Sequence, residues 1–259
     1  KPRRAYYFHL KMWSKSTINH SEMNYAILRV QKLKTNTSVR GSLKHAFRDQ
    51  NTPNAIDSLQ GENSHIGASS VEEAMSNFKG RLPEKVRKNG VRCVEYLMTA
   101  SPEKMDSMTR KEQDGYFSAS LEWLKDKHGT ENVIYSGIHR DEKTPHLYAY
   151  VVPLSQERGE DGAIKRPGKL NCREFLGGSK NVLSELQSEF ANKVGKKYAM
   201  DRGVKGSKAW HTRIAEYYKN VNESTVSAVK ADTLSPNSLN PKHTGTTLMK
   251  ILNTYEKGE

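Results

Sequence analysis

Cysteine is nearly absent from this chain. Cys93 and Cys172 are the only two, and they form no CxxC pair. That excludes a disulfide framework and a cysteine-based zinc site, and it fits a reducing cytoplasmic compartment. Both read as ordinary, partly buried thiols. Long apolar runs are also missing. Nothing approaches the roughly 18 to 20 residues a membrane span requires, so membrane insertion is not expected. The first 22 residues, "KPRRAYYFHLKMWSKSTINHSE", are basic and mixed, without the apolar block of a signal peptide. There is no HExxH helix, which removes the common zinc-peptidase pattern.

Positive charge is what the chain has in excess. Lys and Arg number 42 against 29 Asp and Glu, a net charge of +13, with a pI near 9.6 and a mean hydropathy of -0.82. A balance of this size is the electrostatic footprint of a nucleic-acid binder. An anionic membrane is the rival partner, but no basic amphipathic helix serves it. The 259 residues, 35% of them hydrophobic, suffice for one sizeable domain with long surface loops.

Patterning places the elements. "YAILRVQKL" alternates as a strand, and "KTNTSVRGSLKHAFRDQNTPN" reads as loop and short helix. "SVEEAMSNFKGRL" opens with a capping serine and continues as a helix. "VRCVEYLMTA" is a strand. The following "SPEKMDSMTRKEQDGYFSASLEWLKDKHG" is helical, with Phe117, Leu121 and Leu124 on one face and a stop at Gly129. "NVIYSGIHR" and "HLYAYVVPL" form a hairpin, followed by a polar loop. A long amphipathic helix then turns Leu183, Leu186 and Phe190 inward. One α/β domain over residues 23–200 is expected. Residues 1–22 read as an extension before a start at Met23, and residues 201–259 as helical and flexible C-terminal material.

Chemistry concentrates in "HRDEKTPHLYAYVVPL", residues 139–154. Alternate strand residues share a face, so His146 and Tyr148 point one way, as do Tyr135, Gly137 and His139. Antiparallel pairing across the connection sets His139 opposite His146, with Asp141 and Glu142 in the loop. Two neutral imidazoles, a further ligand and open positions suit a divalent ion. The carboxylates could ligate or orient the rings. A hairpin with surface histidines and a solvated acidic turn is the alternative reading. A second stretch, "RGSLKHAFRD", holds His45 between Lys44 and Arg48, either as a phosphate contact or as a catalyst.

"NYAILRVQKLK", "LKHAFRD", "CVEYLMT", "HRDEKTPHLYAYVVPL" and "DRGVKGSKAWHTRIAEYY" occur in that order. Together they resemble the MobV (Mob/Pre) family of plasmid mobilisation relaxases, from about Met23 to Tyr218. The resemblance implies an HUH-type endonuclease: a central antiparallel β-sheet packed against helices, here with a helical C-terminal extension. It implies metal-dependent nicking and rejoining of one strand at a plasmid origin of transfer in the bacterial cytoplasm. The expected partners are origin DNA, single-stranded and hairpin, and a conjugative coupling protein. A dimer through a missing C-terminal region is also expected, since the chain reads as a truncated relaxase domain.

By that resemblance His139 and His146 hold a divalent cation, Mn or Mg, with Zn as an alternative. His45 attacks phosphorus, forming a 5′-phosphate phosphoramidate, and Arg48 holds DNA beside it. The family pattern PHxH is broken, because Tyr148 stands where a third histidine is usual. Three outcomes follow: Tyr148 ligates weakly, Glu142 or Glu95 substitutes, or the site is impaired. Glu142 or Glu95 would also orient His45 or take its proton. Tyr25 is the rival nucleophile, ranked below His45. Lys32, Lys34, Arg40, Lys44, Arg48, Arg92 and Lys169 form a basic series for phosphates, with Lys208, His211 and Arg213 in the last block. Phe47 and Trp210 are candidate base-stacking rings. The competing functions are a non-cleaving origin-binding or hairpin-binding protein and a rolling-circle replication initiator.

Overall fold

The computed structural model describes residues 24–205. The expectations for residues 1–22, for the C-terminal stretch from residue 206 on, and for Lys208, Trp210, His211 and Arg213 within it lie outside the described residues. The strands are β1 (Tyr25–Leu33), β2 (Ser64–Ile66), β3 (Cys93–Ala100), β4 (Val133–His139), β5 (His146–Val151) and β6 (Asp201–Arg202). The helices are α1 (Asn36–Ala46), α2 (Val71–Arg81), α3 (Pro102–Ser107), α4 (Arg110–His128), α5 (Cys172–Leu176) and α6 (Val182–Lys193). The strands form one sheet in the order β2-β4-β5-β3-β1-β6, antiparallel except for the β1–β6 edge.

Period-two patterning gives the sheet two apolar faces. Leu28, Val94, Tyr96, Met98, Leu147 and Ala149 face α4 and α6, meeting Phe117, Leu124 and Phe190 in one core. Leu33, Cys93, Tyr148, Tyr150 and Tyr135 face α1 and α2, meeting Leu43, Met75 and Phe78 in the other. β5 is buried along its whole length, which accounts for its unbroken run of large side chains.

Several expectations shift. The helix after β3 is two helices, because Ser107–Met108 breaks it and Thr109 restarts it. Thr109 caps α4 reciprocally with Glu112. Gly129 ends α4 with φ of +86°, as its sequence position suggested. Leu183 is 47% exposed, while Leu186 and Phe190 are buried, since α6 begins only at Val182 and its first turn overhangs the core. The edge strands β2 and β6 carry no alternation long enough to announce them. β6 takes Asp201 and Arg202 into the sheet, two residues beyond the expected boundary at 200. Cys93 is fully buried and Cys172 half-buried. No helix of the described residues is long and apolar enough to cross a membrane.

Candidate active site

The C-terminal turn of α1 carries His45. The helix ends in a Schellman arrangement: Asp49 N–H bonds the Lys44 carbonyl at 2.8 Å and Arg48 N–H bonds that of His45 at 3.1 Å. The left-handed position usually given to glycine is held by Arg48, with φ of +57°. A non-glycine residue there costs on the order of 1 kcal/mol, a cost that a functional side chain can justify. Its guanidinium supplies the reason. Nε lies 2.7 Å from Asp141 Oδ2, and one terminal nitrogen lies 2.6 Å from Asp141 Oδ1 and 2.8 Å from Glu142 Oε1. The other terminal nitrogen reaches the His45 carbonyl at 3.2 Å. Arg48, expected to hold DNA, is buried and engaged within the protein, bracing the β4–β5 loop against α1.

That brace sets Glu142 among imidazoles. Its Oε1 lies 3.9 Å from His45 Nε2, 4.0 Å from His139 Nδ1 and 3.9 Å from His146 Nε2. Its Oε2 accepts from Asn54 at 2.5 Å. The expected pairing of His139 with His146 across the hairpin is present, with ring centroids 5.2 Å apart.

The tautomers are fixed from behind. His139 Nε2–H donates to the Ala46 carbonyl at 2.8 Å, one of the α1 carbonyls left open at the helix end. His146 Nδ1–H donates to the Thr144 carbonyl at 2.9 Å. Each ring therefore presents an unprotonated nitrogen, and these two, His139 Nδ1 and His146 Nε2, are buried without a hydrogen-bond partner. An orphaned buried nitrogen is costly, and two of them aimed at one carboxylate oxygen fit a cation. Ligand atoms of His45, His139 and Glu142 all lie within 4.8 Å of one another.

Electrostatics keep the imidazoles neutral. Burial, reinforced by His146 and Arg48, brings His139 down to about 3. Burial also lowers His146. His45 is lowered by burial first and then by the Arg48 cation. Asp141 is raised by burial, but the Arg48 and Asn63 hydrogen bonds prevail and hold it at about 2. It remains anionic at neutral pH.

Tyr148 lies where the register put it, its ring edge-on to His146, His139 and His45 at centroid distances of 4.8, 4.9 and 6.1 Å. Burial, reinforced by Glu142 and Glu95, pushes its phenol above the ordinary value, so it stays protonated and donates poorly to a cation. Of the two carboxylates expected to substitute as third ligand or to act as base, Glu142 is the one that stands among the imidazoles. Glu95 is committed elsewhere. It accepts from Ser42 Oγ, which also meets the Tyr150 hydroxyl at 2.8 Å, and burial raises its pKa despite Ser42. Tyr25 pairs with Asp201 at the sheet edge.

The basic series is mostly engaged. Arg40 pairs with Glu72 at 2.8 Å, Lys44 with Asp49 at 3.8 Å, Lys32 with the Leu176 carbonyl and Arg92 with Asn36. Lys34 and Lys169 are exposed. Phe47 packs on Tyr135 and His65, at 4.6 and 4.8 Å between centroids, and does not stand free for a base. Residues the sequence did not flag are Asn54, which holds Glu142, and Asn63, which accepts from the Arg140 and Asp141 amides. Neither carries a motif that could have found it.

The profile of a family described as plasmid recombination enzyme, Mob/Pre, matches residues 22–219. A 65 kDa protein of Zymomonas mobilis is 30% identical over 206 residues, covering 78% of this chain and 33% of that protein. Plasmid recombination enzyme type 3 of Staphylococcus aureus is 27% identical, covering 75% of this chain and 48% of its own length. The chain thus spans about a third to a half of these relatives. Among solved structures, a MobM relaxase domain bound to plasmid pMV158 oriT DNA, with Mn, superposes with a TM-score of 0.63. The identity is 20%, covering 76% of this chain and 99% of that one, a likeness of fold.

Proposed function

The chain belongs to the Mob/Pre family of plasmid recombination enzymes, and from that premise we propose that it nicks and rejoins one DNA strand at a plasmid origin of transfer. The observation that carries the reading is the convergence of His45, His139 and His146 on Glu142 Oε1. His139, His146 and Glu142 would hold a divalent cation, Mn or Mg. Such an ion offsets charge on a phosphodiester and polarises it.

The protein's own residues do the rest. His45, kept neutral, attacks phosphorus through a ring nitrogen. An N–P bond forms, the P–O3′ bond breaks, and the 3′ oxygen leaves and is protonated. The imidazole proton is lost to Glu142 or to water. The 5′ phosphate stays on His45, so attack by a 3′ hydroxyl reverses the step without an outside energy source. Arg48 and Asn54 keep the Glu142 carboxylate in place. Tyr148 closes the back of the site with its ring.

Single-stranded and hairpin-bearing transfer DNA is the proposed substrate, in the cytoplasm. A coupling protein and a second copy of the chain are proposed partners. The test is cleavage of supercoiled and single-stranded origin DNA with Mn²⁺ or Mg²⁺. Wild type should nick and form a covalent adduct, and His45→Ala should lose both by at least about a thousandfold. Tight binding with no nicking under either metal would replace this reading with a non-cleaving origin binder.

A further inference from the structure

We infer that the imidazole of His65 is the platform on which an unpaired base of the cut strand stacks, beside the phosphate that His45 attacks. This rests on the reading of the chain as a DNA-nicking enzyme and adds a residue that positions its substrate. Among the described residues His65 is the one exposed aromatic ring, since every Phe, Tyr, Trp and other His is buried or half-buried. The stacking part that the sequence suggested for Phe47 thus passes to the ring stacked upon it.

The sheet register places that ring. His65 on β2 lies opposite Gly137 on β4, and Gly137 lies opposite Tyr148 on β5. His65 therefore belongs to the row of Tyr148, two strand positions from His139. At about 3.3 Å per residue along a strand and about 4.8 Å between strands, its Cα lies roughly 8 Å from that of His139. The glycine at 137 has a reason. A Cβ there would lie 2.5 Å from the Tyr135 hydroxyl. With that space open, the hydroxyl meets His65 Nδ1 at 2.7 Å. The Arg48 charge also reaches His65, which ties the ring electrostatically to the end of α1.

The ring is exposed and yet fixed. Phe47 covers one face, nearly parallel at 7° with centroids 4.8 Å apart, while Tyr135 holds the edge. Burial raises the Tyr135 phenol, so it keeps its proton. His65 Nδ1 is the hydroxyl's one partner among the described residues, so the buried O–H donates to it and the imidazole carries its own hydrogen on Nε2. Partial burial and the Arg48 cation lower His65 and keep the ring neutral. An exposed side chain ordinarily loses rotamer freedom when it binds, which costs affinity. Here two contacts have already removed that freedom. The chemistry selects the occupant. A neutral ring offers phosphate no charge, and bases in a duplex present only their edges in the grooves. An unpaired base presents its face, and stacking accepts any base.

The first experiment photocrosslinks the whole chain to an oligo-dT strand carrying one 5-iododeoxyuridine at successive positions, with the captured residue mapped by mass spectrometry. His65 should be captured, and capture only at other residues would overturn the platform. The second uses the strand on which nicking is assayed, with one abasic site placed in turn at each position flanking the scissile phosphate. At one position the abasic site should raise the half-saturating strand concentration about 5- to 150-fold and leave the saturated nicking rate within about threefold. His65→Ala should show the same loss on the intact strand and no further loss from that abasic site. The double variant His65→Phe/Tyr135→Phe keeps both rings, removes the bond between them, and should restore affinity to within about threefold of wild type. Salt dependence should not move, because no charge is removed. Additive losses from variant and abasic site would overturn the platform, as would a fall in the saturated rate alone. So would a salt slope lower by about 0.7, the signature of a lost phosphate contact on a single strand. Crosslinking needs no cleavage, so a chain that never nicks would remove the enzymatic reading while the platform still stood or fell on the capture of His65.

Discussion

Two buried histidines sit on opposite faces of one sheet, and they look alike by every measure taken one residue at a time. His128, at the end of α4, is fully buried against the layer of α4 and α6, and burial brings it down to about 3. His139, on the face of α1 and α2, is equally buried and also falls to about 3. Each has one nitrogen bonded, His128 Nε2 with the Tyr96 hydroxyl and His139 Nε2 with the Ala46 carbonyl. Each has Nδ1 buried without a partner. The difference is direction. His139 Nδ1 faces a carboxylate on which two more imidazoles converge, whereas His128 packs on Phe175 at 4.1 Å. Burial and a depressed pKa therefore do not make a site. Convergence does.

The largest effect that could break this comparison is in metal affinity. His139→Ala or His146→Ala should weaken Mn²⁺ binding, measured by calorimetry, by at least about 10- to 100-fold. His128→Gln should leave it within about twofold, although it removes a histidine just as buried. Equal losses in the two would mean that affinity follows overall integrity of the fold and not the cluster.

A smaller effect tests the burial that the two histidines share, read at His128, which lies outside the cluster. In the unfolded chain His128 titrates near 6.5, while in the folded protein its pKa lies near 3. Between those values the unfolded chain binds a proton the native state refuses, so stability is full above about pH 6.5 and falls as pH drops toward 3. The contribution is up to about 1.4 kcal/mol per pH unit. His128→Gln retains a partner for Tyr96 and does not titrate. Denaturant unfolding at pH 6.5 and 4.5 should show the variant losing less stability than wild type over that interval. An unchanged difference would mean that His128 already protonates in the native state.

Legibility followed the same line between local pattern and convergence. Alternation and capping residues located β1, β3, β4, β5, α2 and α4, because those signals act within a few residues. The hairpin register was readable because a six-residue connection between patterned strands leaves little freedom. The Arg48 brace was not. A left-handed arginine in a glycine position has no sequence signature, and its partners Asp141 and Glu142 lie more than ninety residues away. Asn54 and Asn63 belong to an irregular segment whose polar composition matches any loop. β2 and β6, at three and two residues, are too short for periodicity and exist through pairing with strands already in place.

Tyr148 gives the smallest effect and the finest test of what convergence means. Its ring touches the three histidines, so its position would qualify it as a ligand. Its chemistry argues otherwise, since burial and nearby carboxylates keep the proton on the phenol. Tyr148→Phe keeps the ring against the imidazoles and removes only the hydroxyl. Mn²⁺ affinity should therefore change by less than about threefold. Tyr148→His replaces a protonated phenol with a nitrogen that can be neutral and basic at pH 7, and should tighten binding by about tenfold or more. If Tyr148→Phe instead costs as much as His139→Ala, the phenolate is a ligand. The cation would then have to overcome both the burial and the field of Glu142, and Glu142 would return to being a base alone.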